Sequence, residues 1–329
     1  MDHDRYDWTI MPRRARIEWP GDARVAVWIV VSLQWFPLTL TKHPRPPLGA
    51  FDDPWPNFRD YTHRDYGNRV GAFRIIELMH RYGLRVTSPV NASVCERYPP
   101  LIAEALRHGW EFMGHGVNMG RFHDANLAAH EEAEMVQTAL ATVRRATGQK
   151  VAGWLSPALA ESSQTLDHLA ANGVEYVCDW VNDELPYPMR TQSGSIWSMP
   201  YSLDINDATM IWHYHHSPNE FAQQAREQFD WLYAEAERQG GRIFPLALHP
   251  WCTGQPHRIR ALESIVAHIA SRPGVWTATG SEILTAFKAQ SVLQISGSQD
   301  WVAFGMSAGK PGNNKVLYEN GSHERSVRG

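Results

Sequence analysis

Short apolar runs alternate with longer amphipathic ones along most of this chain. Arg24 to Leu33 (RVAVWIVVSL) is apolar and β-branched throughout, too short and too branched for a helix, and predicts a buried strand. From about Gln34 to Tyr66 the pattern breaks into Pro, Trp, Phe and Asp with no period of 2 or 3.6, which predicts a long loop serving as a lid or an oligomer contact. From Gly67 the alternation is regular: Val70, Phe73 and Ile76 share one helical face, Gly83 ends that helix, and LRVTSPV reads as a strand. LIAEALRHG is then followed by EFMGHG, LAAHEEAEMVQTALATVRRATG by VAGWLS, and TLDHLAANG by VEYVCD. These helices close on Gly109, Gly148 and Gly173, the residue type that takes a left-handed C-terminal position without strain. Ser217-Pro218-Asn219-Glu220 combines an N-cap Ser, a first-turn Pro and a Glu three residues on, and opens a helix through Phe221, Ala225, Phe229 and Leu232. RIFPLALHP, RIRALESIVAHIA, GVWTATG and SEILTAFKA add two more strand–helix pairs.

Seven or eight strand–helix units require parallel strands, because each connection crosses back over the sheet, and their number and the chain length predict a barrel rather than an open sheet. One domain is expected over residues 1–290, with the long loop at about 34–66. The Gly/Ser/Asn-rich tail at 291–329 is expected to be extended, partly disordered or an arm on a neighbouring subunit.

Composition narrows the function. The 31 Lys and Arg against 35 Asp and Glu give a net charge of -4 without a basic block, which argues against nucleic acid. The polar N-terminus (MDHDRYDWTI) and the lack of a run of spanning length predict a cytoplasmic protein without membrane contact. Cys95, Cys178 and Cys252 are isolated, with no C-x-x-C pair, so neither a disulfide framework nor a cysteine zinc cage is expected. Fourteen Trp, several in loop-like segments, point to an aromatic pocket or a subunit interface.

In a parallel barrel the chemistry sits where strands end. The segments there are Glu111-Phe112-Met113-Gly114-His115-Gly116-Val117-Asn118, Leu155-Ser156-Pro157, Asp179 to Tyr187, and Leu248-His249-Pro250-Trp251, more polar than packing requires. Together with the run Asp65-Tyr66-Gly67-Asn68-Arg69-Val70-Gly71, the Gly-His-Gly at 114–116, Asn182-Asp183-x-x-Pro186-Tyr187 and Leu248-His249-Pro250 appear in an order that resembles the polysaccharide deacetylase (NodB-homology) superfamily. The resemblance covers roughly residues 10 to 287 and is nearest to the branch of deacetylase-type allantoinases, cyclic-imide hydrolases and a bacterial peptidoglycan deacetylase. It implies a distorted (β/α)7-8 barrel, hydrolysis of an amide, and a homo-oligomer, dimer or tetramer.

The resemblance also implies a metal held by an Asp pair after the first strand and two His four apart after the third, with the His of Leu-His-Pro protonating the leaving nitrogen. Here the first strand runs into Val31-Ser32-Leu33-Gln34-Trp35, and Met119 stands four residues after His115. Only His115 of the usual ligands is retained, and a zinc-type site needs at least three, so no metal or other cofactor is expected. Phe51-Asp52-Asp53 mimics the missing pair but reads as a solvated turn, and His123 reads as a surface residue.

Metal-free hydrolysis needs a base, an oxyanion donor and an acid. His115, Glu111 and Asp183 are the candidate bases and His249 the candidate acid. Asn118, Ser156, Asn182, Tyr187, His215 and Trp251 are candidate substrate contacts, with His213 and His215 read as alternating residues of one strand. For Asn182 and Asp183 the competing reading is a turn with a helix cap; for Trp154, Trp180 and Trp251 it is core packing. The expected substrate is a small linear or cyclic amide, ureide or imide. Two alternatives stay open: a silent homologue that binds a small molecule or serves as a structural subunit, and a polysaccharide or peptidoglycan N-deacetylase.

Overall fold

The computed structural model describes residues 3–38 and 56–297. Phe51-Asp52-Asp53, the middle of the 34–66 stretch and the tail beyond Gly297 lie outside the described residues. The chain divides at Gln290, and everything described below belongs to the unit Met1–Gln290, apart from the last turns of one helix.

Among the described residues, nine strands form one curled sheet: β1 (Val25–Val31), β2 (Val86–Val90), β3 (Glu111–Gly114), β4 (Gly153–Trp154), β5 (Tyr176–Val177), β6 (Tyr187–Thr191), β7 (Gly194–Ser198), β8 (Arg242–Leu248) and β9 (Val275–Thr277). Their order is β6-β7-β5-β4-β3-β2-β1-β8, with β9 also on β1, and every pairing is parallel except β6 with β7. β1 is wholly buried and pairs with β8 along its full length, as expected of a run apolar on both faces. The segment after β7 reaches β8 through the bridge Asn206–Ala247. The result is the distorted α/β barrel the sequence predicts.

The helices are α1 (Phe58–Tyr66), α2 (Ala72–Arg81), α3 (Ala92–Arg97), α4 (Pro99–Arg107), α5 (Ala129–Thr147), α6 (Thr165–Ala171), α7 (Pro218–Gln239), α8 (Ile259–Ala270) and α9 (Gly280–Gly297). Gly109, Gly148 and Gly173 have φ of 72°, 69° and 76°, and Ser217 and Glu220 form the predicted capping box. No helix among the described residues is long and apolar enough to cross a membrane.

Four expectations are corrected. The predicted loop contains α1, capped by the Asn57 side chain; it buries none of its residues and so shows no apolar period. A π-helical turn, Gly67–Gly71, joins α1 to α2 and shifts the helical phase, so Val70 and Phe73 are exposed while Ile75, Ile76, Leu78 and Met79 are buried. The antiparallel pair β6–β7 was not foreseen, because YPMRT carries a proline and lies at the sheet edge. His213 ends a π-helical turn rather than lying in a strand, and His215 follows it with φ 59°.

The π turn explains the Gly67/Gly71 spacing. A Cβ on Gly67 would stand 2.6 Å from the Trp251 nitrogen, and one on Gly71 would stand 2.1 Å from the Pro250 carbonyl oxygen. Only glycine lets this helix lie directly on the backbone leaving β8.

Candidate active site

His115 follows β3 and is 2% exposed. Its Nδ1 lies 2.6 Å from the Leu155 carbonyl oxygen and must carry the proton there, so in the neutral ring Nε2 is an acceptor. The Gln34 side-chain nitrogen, 3.0 Å away, donates to it. Gln34 Oε1 in turn accepts from Trp251 Nε1 at 3.4 Å, and the Gln34 carbonyl accepts from Asn68 of the π turn at 2.8 Å. Burial, opposed by the Leu155 hydrogen bond and assisted by the nearby His249 and His123, lowers the His115 pKa to about 4. The imidazole is therefore neutral, and its lone pair is committed to Gln34, which occupies the end of the first strand where the resemblance implies carboxylates.

His249 follows β8. Its Nδ1 lies 2.7 Å from Asp207 Oδ1, and its backbone N–H donates to Asp207 Oδ2 at 2.9 Å. Asp207 is fully buried and also accepts from the Thr253 hydroxyl at 2.8 Å. A buried carboxylate fixed on Nδ1 leaves Nε2 as the ring nitrogen without a hydrogen-bond partner among the described residues. Sequence reasoning missed Asp207: in SLDINDATM nothing local separates it from the exposed Asp204.

Of the residues singled out in the sequence, His115, His249 and Trp251 come together, with Gln34 as an unforeseen fourth. The His249 and Trp251 rings are 5.7 Å apart. Glu111 does not join them. It is the first residue of β3, at the end of the strand opposite His115, where it accepts from the Thr87 hydroxyl at 2.9 Å and the Ser281 N–H at 3.4 Å. Asp183 forms a bidentate pair with Arg14 at 2.6 and 2.7 Å and caps the Glu184 and Leu185 N–H groups, as in the competing turn reading. Asn182 is held between the Tyr6 and Tyr187 hydroxyls at 2.7 and 2.6 Å. Asn118 accepts from the Gly120 N–H at 2.9 Å, closing a turn, and His215 is exposed. Ser156, buried at the end of β4, accepts from Trp154 Nε1 at 2.9 Å and donates its N–H to Asp179 at 2.7 Å.

His123 is not on the surface. It is fully buried, its Nδ1 is 3.1 Å from Glu132 Oε1, its ring packs edge-on against Trp154, and its Nε2 has no hydrogen-bond partner among the described residues. Glu132 also accepts from the Ser162 and Thr165 hydroxyls; although burial opposes ionisation, these bonds and His123 hold its carboxyl at about 2. Nearby, the Asp179 and Glu161 carboxyls face each other. Burial and the neighbouring Asp179 charge push Glu161 well above its ordinary value, so the pair holds a proton between them.

These residues do not fit a three-ligand metal centre. His115 Nε2 is taken by an amide N–H, Ser32 and Gln34 stand at the end of the first strand, and Met119 is a buried thioether. Among the described residues no group of three or more His, Cys, Asp or Glu converges.

A family model for polysaccharide deacetylase matches residues 42–177. The peptidoglycan deacetylase of Helicobacter pylori is 24% identical over 258 residues, 68% of this chain and 85% of that protein. Among solved structures, Puue allantoinase superposes with a TM-score of 0.73 and 23% identity over 84% of this chain and 94% of its own. A "probable Polysaccharide deacetylase" from Pseudomonas aeruginosa PAO1 gives 0.71 and 23% over 84% and 95%. The family model over residues 42–177 and the sequence relative make this chain similar to polysaccharide deacetylases, the resemblance its motif order carries, and the solved structures share its fold.

Proposed function

We propose that this protein hydrolyses the carbon–nitrogen bond of a small linear or cyclic amide, ureide or imide without a resident metal. The observation that carries the reading is the buried Asp207–His249 pair at the end of β8. With Nδ1 protonated and facing Asp207, His249 Nε2 accepts a proton from water as the water oxygen bonds to the substrate carbonyl carbon. One amide hydrogen of Gln34 is used on His115; the other has no acceptor among the described residues and donates to the carbonyl oxygen as it becomes an oxyanion. When the tetrahedral intermediate collapses, the C–N bond breaks and His249 passes its proton to the leaving nitrogen. His115 in this scheme is a positioning residue that orients Gln34. The H. pylori relative supports a second reading, removal of an acetyl group from an N-acetylated sugar, which breaks the same class of bond.

Ammonia or amine release across cyclic imides, hydantoins, allantoin and N-acetyl sugars tests both. Turnover abolished by His249→Ala is expected. A folded wild-type protein inert to the whole panel and to carboxylate-bearing amides would favour the silent, ligand-binding alternative.

A further inference from the structure

We infer that Arg64 is an anion-recognition group of this site, so that the amide it accepts carries a carboxylate. The inference rests on the hydrolase reading for the position of the scissile bond. Arg64 lies near the end of α1, three residues before the start of the π turn that packs on Pro250 and Trp251. Its guanidinium carbon sits 3.7 Å from the centre of the Trp251 ring, with Phe36 at 4.9 Å and Trp212 at 5.4 Å. Trp212 also stacks on His63 at 5.0 Å and meets Trp251 edge-on at 5.7 Å, so the guanidinium is set in an aromatic wall.

Such a wall desolvates the cation and gives it little to bond with. Nε donates to Asp60 at 3.3 Å, while neither terminal nitrogen has a hydrogen-bond partner among the described residues, and the side chain keeps 15% exposure. Arg258, whose charge also bears on His63, makes no ion pair among the described residues, and its Nε is buried without a partner. Asp60 is thus the one carboxylate hydrogen-bonded to Arg64 among the described residues, through Nε alone. A planar fork held over an indole, with its terminal nitrogens unbonded among the described residues, is pre-organised for the two oxygens of a carboxylate.

The same indole ties this anion position to the chemistry. Trp251 contacts the His249 ring and donates to Gln34, so an anion on Arg64 lies one indole from the groups assigned to proton transfer and carbonyl polarisation. That distance suits a small amide whose carboxylate is a few bonds from the scissile carbonyl. A glycan without a fixed charge offers Arg64 nothing.

The test compares succinamate, which carries an amide and a carboxylate, with the neutral diamide succinamide on wild-type protein, Arg64→Met and Arg64→Lys. Binding is read by calorimetry and turnover by ammonia release. The expected result is that Arg64→Met weakens succinamate binding, or raises its KM, by about 10–100-fold, with a smaller loss for Arg64→Lys and unchanged handling of succinamide. Arg64→Lys retains the cation and serves if Arg64→Met does not fold. Equal loss for both ligands would make Arg64 a structural pin, and no loss for either, or no binding of succinamate by the wild type, would also overturn the inference. Arg64-dependent binding without turnover of any amide would uphold the anion site and remove the hydrolase reading. Turnover of neutral amides indifferent to Arg64 would do the reverse.

Discussion

Asp207 and His249, 42 residues apart in sequence, are joined twice: Asp207 Oδ1 is 2.7 Å from Nδ1 of the imidazole and Oδ2 is 2.9 Å from the backbone nitrogen of the same residue. One buried carboxylate thus sets both the tautomer of the ring and the position of its backbone.

Asp207→Asn removes the charge that stabilises a protonated His249 and offers Nδ1 an amide instead. A fall of about 10²–10⁴-fold in kcat/KM is expected, with the fold retained by circular dichroism. Activity within a few-fold of wild type would remove His249 from proton transfer.

Chelation should be without effect. Elemental analysis of untagged protein is expected to find far less than one metal per chain, and kcat/KM after exhaustive treatment with chelator should stay within about twofold, since a centre of fewer than three protein ligands does not hold zinc. Stoichiometric metal, lost together with activity and restored with it, would contradict the assignment of Gln34.

Gly71→Ala places a methyl group 2.1 Å from the Pro250 carbonyl oxygen, against backbone that cannot yield. We expect a loss of about 1–3 kcal/mol in urea unfolding and a fall in kcat/KM on the order of tenfold as the His249–Trp251 segment moves. Gly83→Ala is the control: its φ is 63° but its Cβ would meet nothing within 4 Å, so a comparable stability loss with activity intact is expected. Equal activity in the two variants would show that the π turn does not position the site.

The proton held between Glu161 and Asp179 makes stability depend on pH. Burial beside Asp179 raises Glu161 above its ordinary 4.5, so the folded state retains a proton that the unfolded chain releases near that pH. Stability from this source is complete below about 4.5 and is lost as pH rises toward the folded value. Glu161→Gln keeps a donor for Asp179 and an acceptor for Trp180 without needing the proton. Its melting temperature should gain on the wild type as pH rises from 5 to 9 and lose that gain near pH 4; a constant difference would mean that no proton is held there.

Much of the architecture was legible because it depends on local order. β1 and β8 are apolar on both faces and read directly as buried strands, and the glycines at 109, 148 and 173 mark helix ends because few other residues accept the backbone required. The hairpin β6–β7 and the solvated helix α1 were not legible, since neither buries a continuous apolar face. His115 and His249 could be singled out because each follows a strand directly. Gln34 was noticed only as a missing carboxylate, and Asp207 not at all.

The sequence by itself determined the alternation of strands and helices outside α1 and the β6–β7 hairpin, the end of the sheet where polar residues gather, and the loss of the usual ligands at positions 34 and 119. Only the tertiary structure decided which polar residues meet. It took Glu111 to the opposite end of β3, gave Asp183 to Arg14, buried His123 against Glu132 and brought Asp207 to His249. The physical reason is that periodicity reports which face of an element is buried, a local property of the chain. Hydrogen-bond partnership depends on contacts between residues tens or hundreds of positions apart, which no local pattern records.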